Sequence, residues 1–217
     1  MDEKPHLLYF DIRGRAEPIR TLMSFIGVDF EDKQVTMEEW ETLRLSTPFR
    51  RMPVYREGGV EIPETFAIMN YLGRKHDLRG ESEADQIRCD ITIEAWRDYG
   101  NRVANAFGAL SVSSDARERF VTEEQPALLS DLEGFYEKRD AASRYWAGSS
   151  PTICDFAAFH MIDGLVGQFP EVLPQFQGLS SFHTFFSNLP KIKQYLDSPA
   201  RPAALFYGPK GKIYPKA

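Results

Sequence analysis

"LLYFDIRGRAEPIR", residues 7 to 20, decides how the first part of this chain folds. With His6 its apolar start reads HLLYF, a run of strand length, and RAEPIRTLMSFIG then carries a helical pattern stopped by Gly27. The strand ends on the hydroxyl of Tyr9 and is followed by Arg13 and Arg15 around Gly14, so a phenol meets positive charge at a strand-to-helix corner. The bland reading of Tyr9 is a core tyrosine whose hydroxyl is tied to backbone. The functional reading is a hydrogen-bond donor to an anion held beside Arg15.

Working outward, VDFEDKQV reads as a second strand and MEEWETLRL as a polar helix. PVYREGGVEIP reads as two short strands turned by Gly58-Gly59, a hairpin signal. ETFAIMNYLGRKHDL follows with Phe66, Ile68, Met69 and Leu72 on one helical face, giving the order β-α-β-α-β-β-α over residues 1–79. RGESEAD, residues 79 to 85, is polar and reads as a linker. Residues 86–199 read as helices: a long one through DQIRCDITIEAWRDYGNRVANAF, others near PALLSDLEGFYEKR and TICDFAAFHMIDGLV, and a pair near LSSFHTFFSNL and KIKQYL. Gly100 is the weak point of the long helix. The tail FYGPKGKIYPKA reads as irregular.

The chain of 217 residues is 42% hydrophobic and 13% aromatic, enough for two modest cores. A formal charge of −6 argues against general nucleic-acid binding. No run of eighteen apolar residues occurs and MDEKPH lacks a basic export region, so neither a membrane partner nor a secretory signal is expected and the cytoplasm is the default location. Cys89 and Cys154 form no CxxC pair, and the four histidines lack metal-ligand spacing, so no metal site is expected.

Three further motifs bear on chemistry. In RRMPVY, Pro53 opens a predicted strand, and the Met52-Pro53 bond is either trans at an edge or cis, the latter leaving the backbone of Met52 free to pair with a ligand. In PETFAI, Thr65 stands at a helix start, where a hydroxyl caps the helix or helps hold a carboxylate, and Glu64 beside it suits an ammonium. In SSPTICDFAAF, Thr152 and Asp155 form a structural capping box ahead of a buried helix.

Tyr near the end of strand one, RGRAE after it, Trp40 in the second helix, Pro opening strand three, Glu-Thr before helix three and the Thr-x-x-Asp cap together resemble the cytosolic glutathione S-transferases. The resemblance covers nearly the whole chain. It is nearest to the tyrosine-type sigma class, with mu and pi as neighbours, because YF with RGRAE and the downstream EDxxV and Trp are similar to that group. Two positions depart from the family pattern: Arg50 stands where a small residue is usual, and Thr65 where serine is usual.

The resemblance implies a thioredoxin-like α/β N-terminal domain, residues 1–79, that binds glutathione, and an all-α domain, residues 86–217, that supplies the electrophile site. It implies a dimeric enzyme that joins the glutathione thiolate to small apolar electrophiles, with glutathione as co-substrate and no cofactor. Tyr9 and Arg15 would lower the thiol pKa, since a phenol O–H bond to sulfur and a nearby cation favour the thiolate. Trp40, Arg44 and Arg51 would hold the glycyl end, Met52 and Pro53 the cysteinyl unit, and Glu64 with Thr65 the γ-glutamyl end. Asp98 is similar in placement to an acidic residue that sigma-type proteins reach across the dimer interface. Phe10, Tyr99 and Arg102 would border the electrophile, with Phe206 and Tyr207 covering it. The alternatives are a glutathione-dependent isomerase or peroxidase on the same site, or a non-catalytic crystallin-like or ligand-carrying relative. A thiol-disulfide oxidoreductase is disfavoured because no cysteine follows strand one.

Overall fold

The computed structural model describes residues 4–107, 113–207 and 213–214. β1 (His6–Phe10) lies inside a four-stranded sheet of order β2-β1-β3-β4, with β2 (Glu31–Val35), β3 (Val54–Glu57) and β4 (Val60–Pro63). It runs parallel to β2, with Leu8 opposite Lys33, and antiparallel to β3, with Leu8 opposite Val54. The two-residue period of a strand divides its side chains. Leu7 and Tyr9 enter the main core, while Leu8 packs with Val35 and Val54 on the other face.

Local chemistry ends each element where the sequence indicates. Gly27, at φ 78°, closes α1 (Glu17–Ile26) by donating its N–H to the Met23 carbonyl. Gly58 and Gly59, at φ 56° and 80°, make the turn between β3 and β4, a pair of left-handed residues that suits the twist of a hairpin. Thr36 and Glu39 form a reciprocal capping box on α2 (Met37–Leu43). α3 (Thr65–Lys75) completes the α/β half.

The helical half contains α4 (Glu83–Phe107), α5 (Ser114–Arg119), α6 (Gln125–Glu137), α7 (Ile153–Gln168), α8 (Gln177–Ser187) and α9 (Pro190–Leu196). Buried along most of its length, α7 packs against α4 and also against α1 and α3 of the first half. Its capping box is present: the Thr152 N–H donates to Asp155 Oδ2 at 2.7 Å, and the other Asp155 oxygen takes the Trp146 N–H at 2.8 Å. Gly100 continues α4 because a Cβ there would stand 2.8 Å from Met161 Cε of α7; close helix approach outweighs its poor propensity.

The structure adds one element that the sequence did not single out and corrects one expectation. The polar SDARER stretch is helical as α5, and residues Phe120–Glu124 carry a π-turn into α6. The tail is not wholly irregular: Phe206–Tyr207 pairs antiparallel with Ile213–Tyr214. Just before that pair, the chain is fastened to the corner after β1. Arg13 Nε donates to the Pro202 carbonyl at 3.0 Å, and Arg201 bridges Glu17 at 2.6 Å and Asp163 at 2.5 Å.

Candidate active site

A cleft of about 610 Å³ opens between the two halves. One wall comes from the corner after β1 (Tyr9, Ile12, Gly14, Arg15, Pro18), and the floor from Glu64, Thr65, Phe66 and Ala67 at the start of α3. The opposite wall is one face of α4 with Ala157, His160 and Met161 of α7.

The Tyr9 hydroxyl is buried and accepts the backbone N–H of Arg15 at 3.0 Å. It is therefore tied to backbone, but as acceptor, and its own proton remains available. Burial raises the Tyr9 pKa, outweighing the Arg15 hydrogen bond and the charges of Arg15 and Arg20. At neutral pH this residue is a phenol that keeps its proton. Gly14, at φ 41°, is what lets the ring lie there, since a Cβ on it would stand 2.7 Å from the Tyr9 hydroxyl oxygen.

Thr65 is the first helical residue of α3 rather than its cap, and its hydroxyl donates to the Arg15 carbonyl at 2.9 Å. A chain of hydrogen bonds thus runs from α3 through the Arg15 peptide to Tyr9. Glu64 precedes the helix at φ 70° and ψ 124°, a conformation costly for an L-residue, and no side chain among the described residues caps α3. The helix start, with its unpaired N–H groups, faces the cleft and can take a carboxylate. The exposed side chain of Arg15 adds positive charge to the same cleft.

The other expected residues stand farther out. Phe10 is half-buried, and its ring meets Tyr9 edge-on at 5.7 Å and Trp40 at 6.0 Å. Trp40 is half-buried on α2, and neither ring lines the cleft. Arg44 is exposed and pairs with Glu41 at 3.3 Å. Arg50 and Arg51 are also exposed, Arg50 at φ 52°. Met52 is half-buried, Pro53 is buried, and the bond between them is cis.

Arg102 does not line the cleft, and Tyr99 borders only a narrow recess that it shares with Val103, His160 and Met161. Tyr99 is buried in the helical core against Trp96, its hydroxyl accepting from Gln125 Nε2 at 3.1 Å. Arg102 pairs on the surface with Asp98 at 2.8 Å, and the Asp98 side chain is 58% exposed. The face of α4 on the cleft carries Arg97, Gly100, Asn101 and Ala104 instead. The backbone of Phe206 and Tyr207 forms the short C-terminal strand, but their side chains lie outside the described residues.

Sequence reasoning missed the residue that shapes the corner. Arg20 of α1, 1% exposed, donates to the carbonyls of Ile12 at 2.7 Å and Phe10 at 3.2 Å and pairs with Asp32 at 2.9 Å. Its one signal was a charged residue inside the apolar periodicity of α1 after Glu17. His160 and Met161 lay in the TICDFAAFHMIDGLV helix without any pattern to mark them. Among the described residues no group of three or more His, Cys, Asp or Glu forms a metal site, and no helix is long and apolar enough to cross a membrane.

Comparison with known proteins adds independent findings. Residues 5–74 match the model for the glutathione S-transferase N-terminal domain, and residues 101–199 match a model for its C-terminal domain. The chain is 32% identical over 220 residues to a glutathione S-transferase of Tyrophagus putrescentiae, covering 98% of this chain and 97% of the relative. It is 30% identical over 200 residues to human glutathione S-transferase Mu 4, covering 88% and 89%. The structure superposes on an Onchocerca volvulus Pi-class glutathione S-transferase with a TM-score of 0.84 and 26% identity, covering 90% of this chain and 93% of the other.

Proposed function

This chain belongs to the glutathione S-transferase family and is a glutathione-conjugating enzyme, and we propose that it is of the tyrosine type, with Tyr9 as the donor that holds the glutathione thiolate. The observation that carries this is the Tyr9 hydroxyl in the cleft, accepting from the Arg15 N–H with its own proton left to give. A free thiol of pKa near 8.5 is only a few per cent ionised at neutral pH, and the thiolate is the nucleophile. A phenol that stays protonated, beside the Arg15 guanidinium, stabilises that thiolate in water-poor surroundings.

The γ-glutamyl carboxylate would lie at the uncapped start of α3, with its ammonium toward the exposed carboxylate of Glu64. Met52 and Pro53 would meet the cysteinyl unit, and Trp40, Arg44 and Arg51 the glycyl end. The sigma-like assignment rests on YF, RGRAE and the downstream EDxxV with Trp40. In this reading an apolar electrophile lies against α4 and α7, and conjugation needs glutathione as co-substrate and no further cofactor. The free, buried Cys89 and Cys154 suit a reducing compartment such as the cytoplasm.

A homodimer fits the large apolar side chains left in water: Phe49 is 75% exposed on the loop before β3, and Ile87 and Ile91, one turn apart on α4, are 54% and 48% exposed. Asp98, farther along α4, would then reach the partner's glutathione. Sedimentation should give twice the 24.8 kDa chain mass at micromolar concentration, and a 24.8 kDa species would contradict the dimer. Retention on immobilised glutathione and turnover of an aryl halide test the activity; a protein that does neither contradicts the reading.

A further inference from the structure

His160 has no part in thiol activation, yet it lines the same cleft as Tyr9. It is 6% exposed, and among the described residues its ring makes no hydrogen bond. The cleft lining includes apolar Val103 and Ala104 of α4 and Ala157 and Met161 of α7, with polar Arg97 and Asn101 also on α4. His160, Val103 and Met161 also line a second, narrow recess with Tyr99, Leu165 and Phe169. A ligand that covers the ring without pairing with it would bury an unpaired imidazole, at a free-energy cost. A ligand group that pairs with it removes that cost.

We propose that His160 donates a hydrogen bond to a carbonyl oxygen of the electrophile, so that α,β-unsaturated carbonyl compounds are the preferred substrates of this cleft. The proposal rests on the glutathione-transferase reading and names the substrate class of the same site. Burial, and then the charges of Arg201, Arg13 and Arg20 against that of Asp163, lower the His160 pKa to about 4. The ring is therefore neutral in the working range, with one N–H to donate.

In the reaction the thiolate, its proton already lost to solvent, attacks the β-carbon and the S–C bond forms. The C=C π pair shifts to make the new C=C of an enolate, and the carbonyl π pair moves onto oxygen. The His160 N–H holds that oxygen as its charge develops, and it does more for the enolate than for the neutral carbonyl because the bond becomes charge-assisted. The α-carbon then takes a proton from water and the carbonyl returns. An alkyl halide displaced by the same thiolate develops no oxyanion, so His160 has nothing to hold.

The test compares cinnamaldehyde, an enal, with benzyl chloride on the parent protein, His160→Met and His160→Gln. Met is apolar and adapts to irregular space, while Gln keeps an N–H donor. The readout is the ratio of kcat/KM for the two substrates, in which any general loss of active protein cancels. His160→Met should lower the ratio by about a hundredfold, with the loss mainly in kcat for the enal, as for removal of one oxyanion donor. His160→Gln should recover most of it. An unchanged ratio in His160→Met overturns the proposal while benzyl chloride turnover preserves the transferase reading. A parent protein that conjugates neither substrate overturns both.

Discussion

The backbone N–H of Arg15 donates to the Tyr9 hydroxyl at 3.0 Å, and that bond depends on Gly14 having no side chain. A Cβ at Gly14 would stand 2.7 Å from the Tyr9 oxygen and 2.9 Å from its ring. Gly14→Ala should therefore displace the phenol and lower kcat with an aryl halide by about a hundredfold. Steady-state kinetics check this, and parent-like turnover would show that the phenol tolerates displacement.

Thr65 ties α3 to the same peptide through its 2.9 Å bond to the Arg15 carbonyl. Thr65→Ser keeps the donor and should stay near the parent, whereas Thr65→Val strands a buried acceptor and should lower kcat/KM for glutathione about tenfold. Kinetics with varied glutathione decide it. Equal values for Ser and Val would mean the hydroxyl positions nothing.

The corner itself depends on Arg20. Arg20→Ala leaves Asp32 and the Phe10 and Ile12 carbonyls without their shared donor, and breaking such a buried pair costs about 3–5 kcal/mol. Urea unfolding should show that loss. Arg20→Lys should recover only part of it, because one ammonium does not reproduce the planar fork.

The corner after β1 and the start of α3 show what the sequence made legible. Tyr9, Arg15, Glu64 and Thr65 were readable because they sit at ends of elements that propensity and turn chemistry define well. Arg20 was not, since its partners are carbonyls of a corner whose shape only the folded chain sets. The face of α4 was misassigned for a matter of phase. Arg97, Gly100, Asn101 and Ala104 follow the three- and four-residue spacing of one helical face, and Tyr99, off that face, is buried and borders the recess beside His160. α5 carried too few apolar residues to show a helical period.

Stability should depend on pH through His160. Its folded pKa is lowered to about 4 from the ordinary 6.5, so between those values the unfolded chain binds the proton and the folded one does not. The contribution is full above about pH 6.5 and is lost as pH falls toward 4, amounting to about 3 kcal/mol. Asp155, which burial pushes up to about 7, works in the opposite sense, favouring the folded state at low pH and losing that contribution as pH rises toward 7. Comparing urea unfolding of the parent and His160→Gln from pH 7.5 to 4.5 isolates the histidine, because Asp155 is common to both. The parent should lose stability more steeply as pH falls, and parallel curves would show that His160 does not titrate in this way.

The most direct test of the account is the ultraviolet titration of the glutathione thiolate bound to the parent protein and to Tyr9→Phe. Tyr9 stays protonated because burial raises its pKa, so its proton is available to the sulfur through neutral pH. The bound thiol should titrate at least about one pH unit below the free value near 8.5 in the parent and return toward it in Tyr9→Phe, with kcat falling about a hundredfold and glutathione binding kept. A bound thiol that titrates identically in the two proteins would contradict the assignment of Tyr9 as the group that activates it.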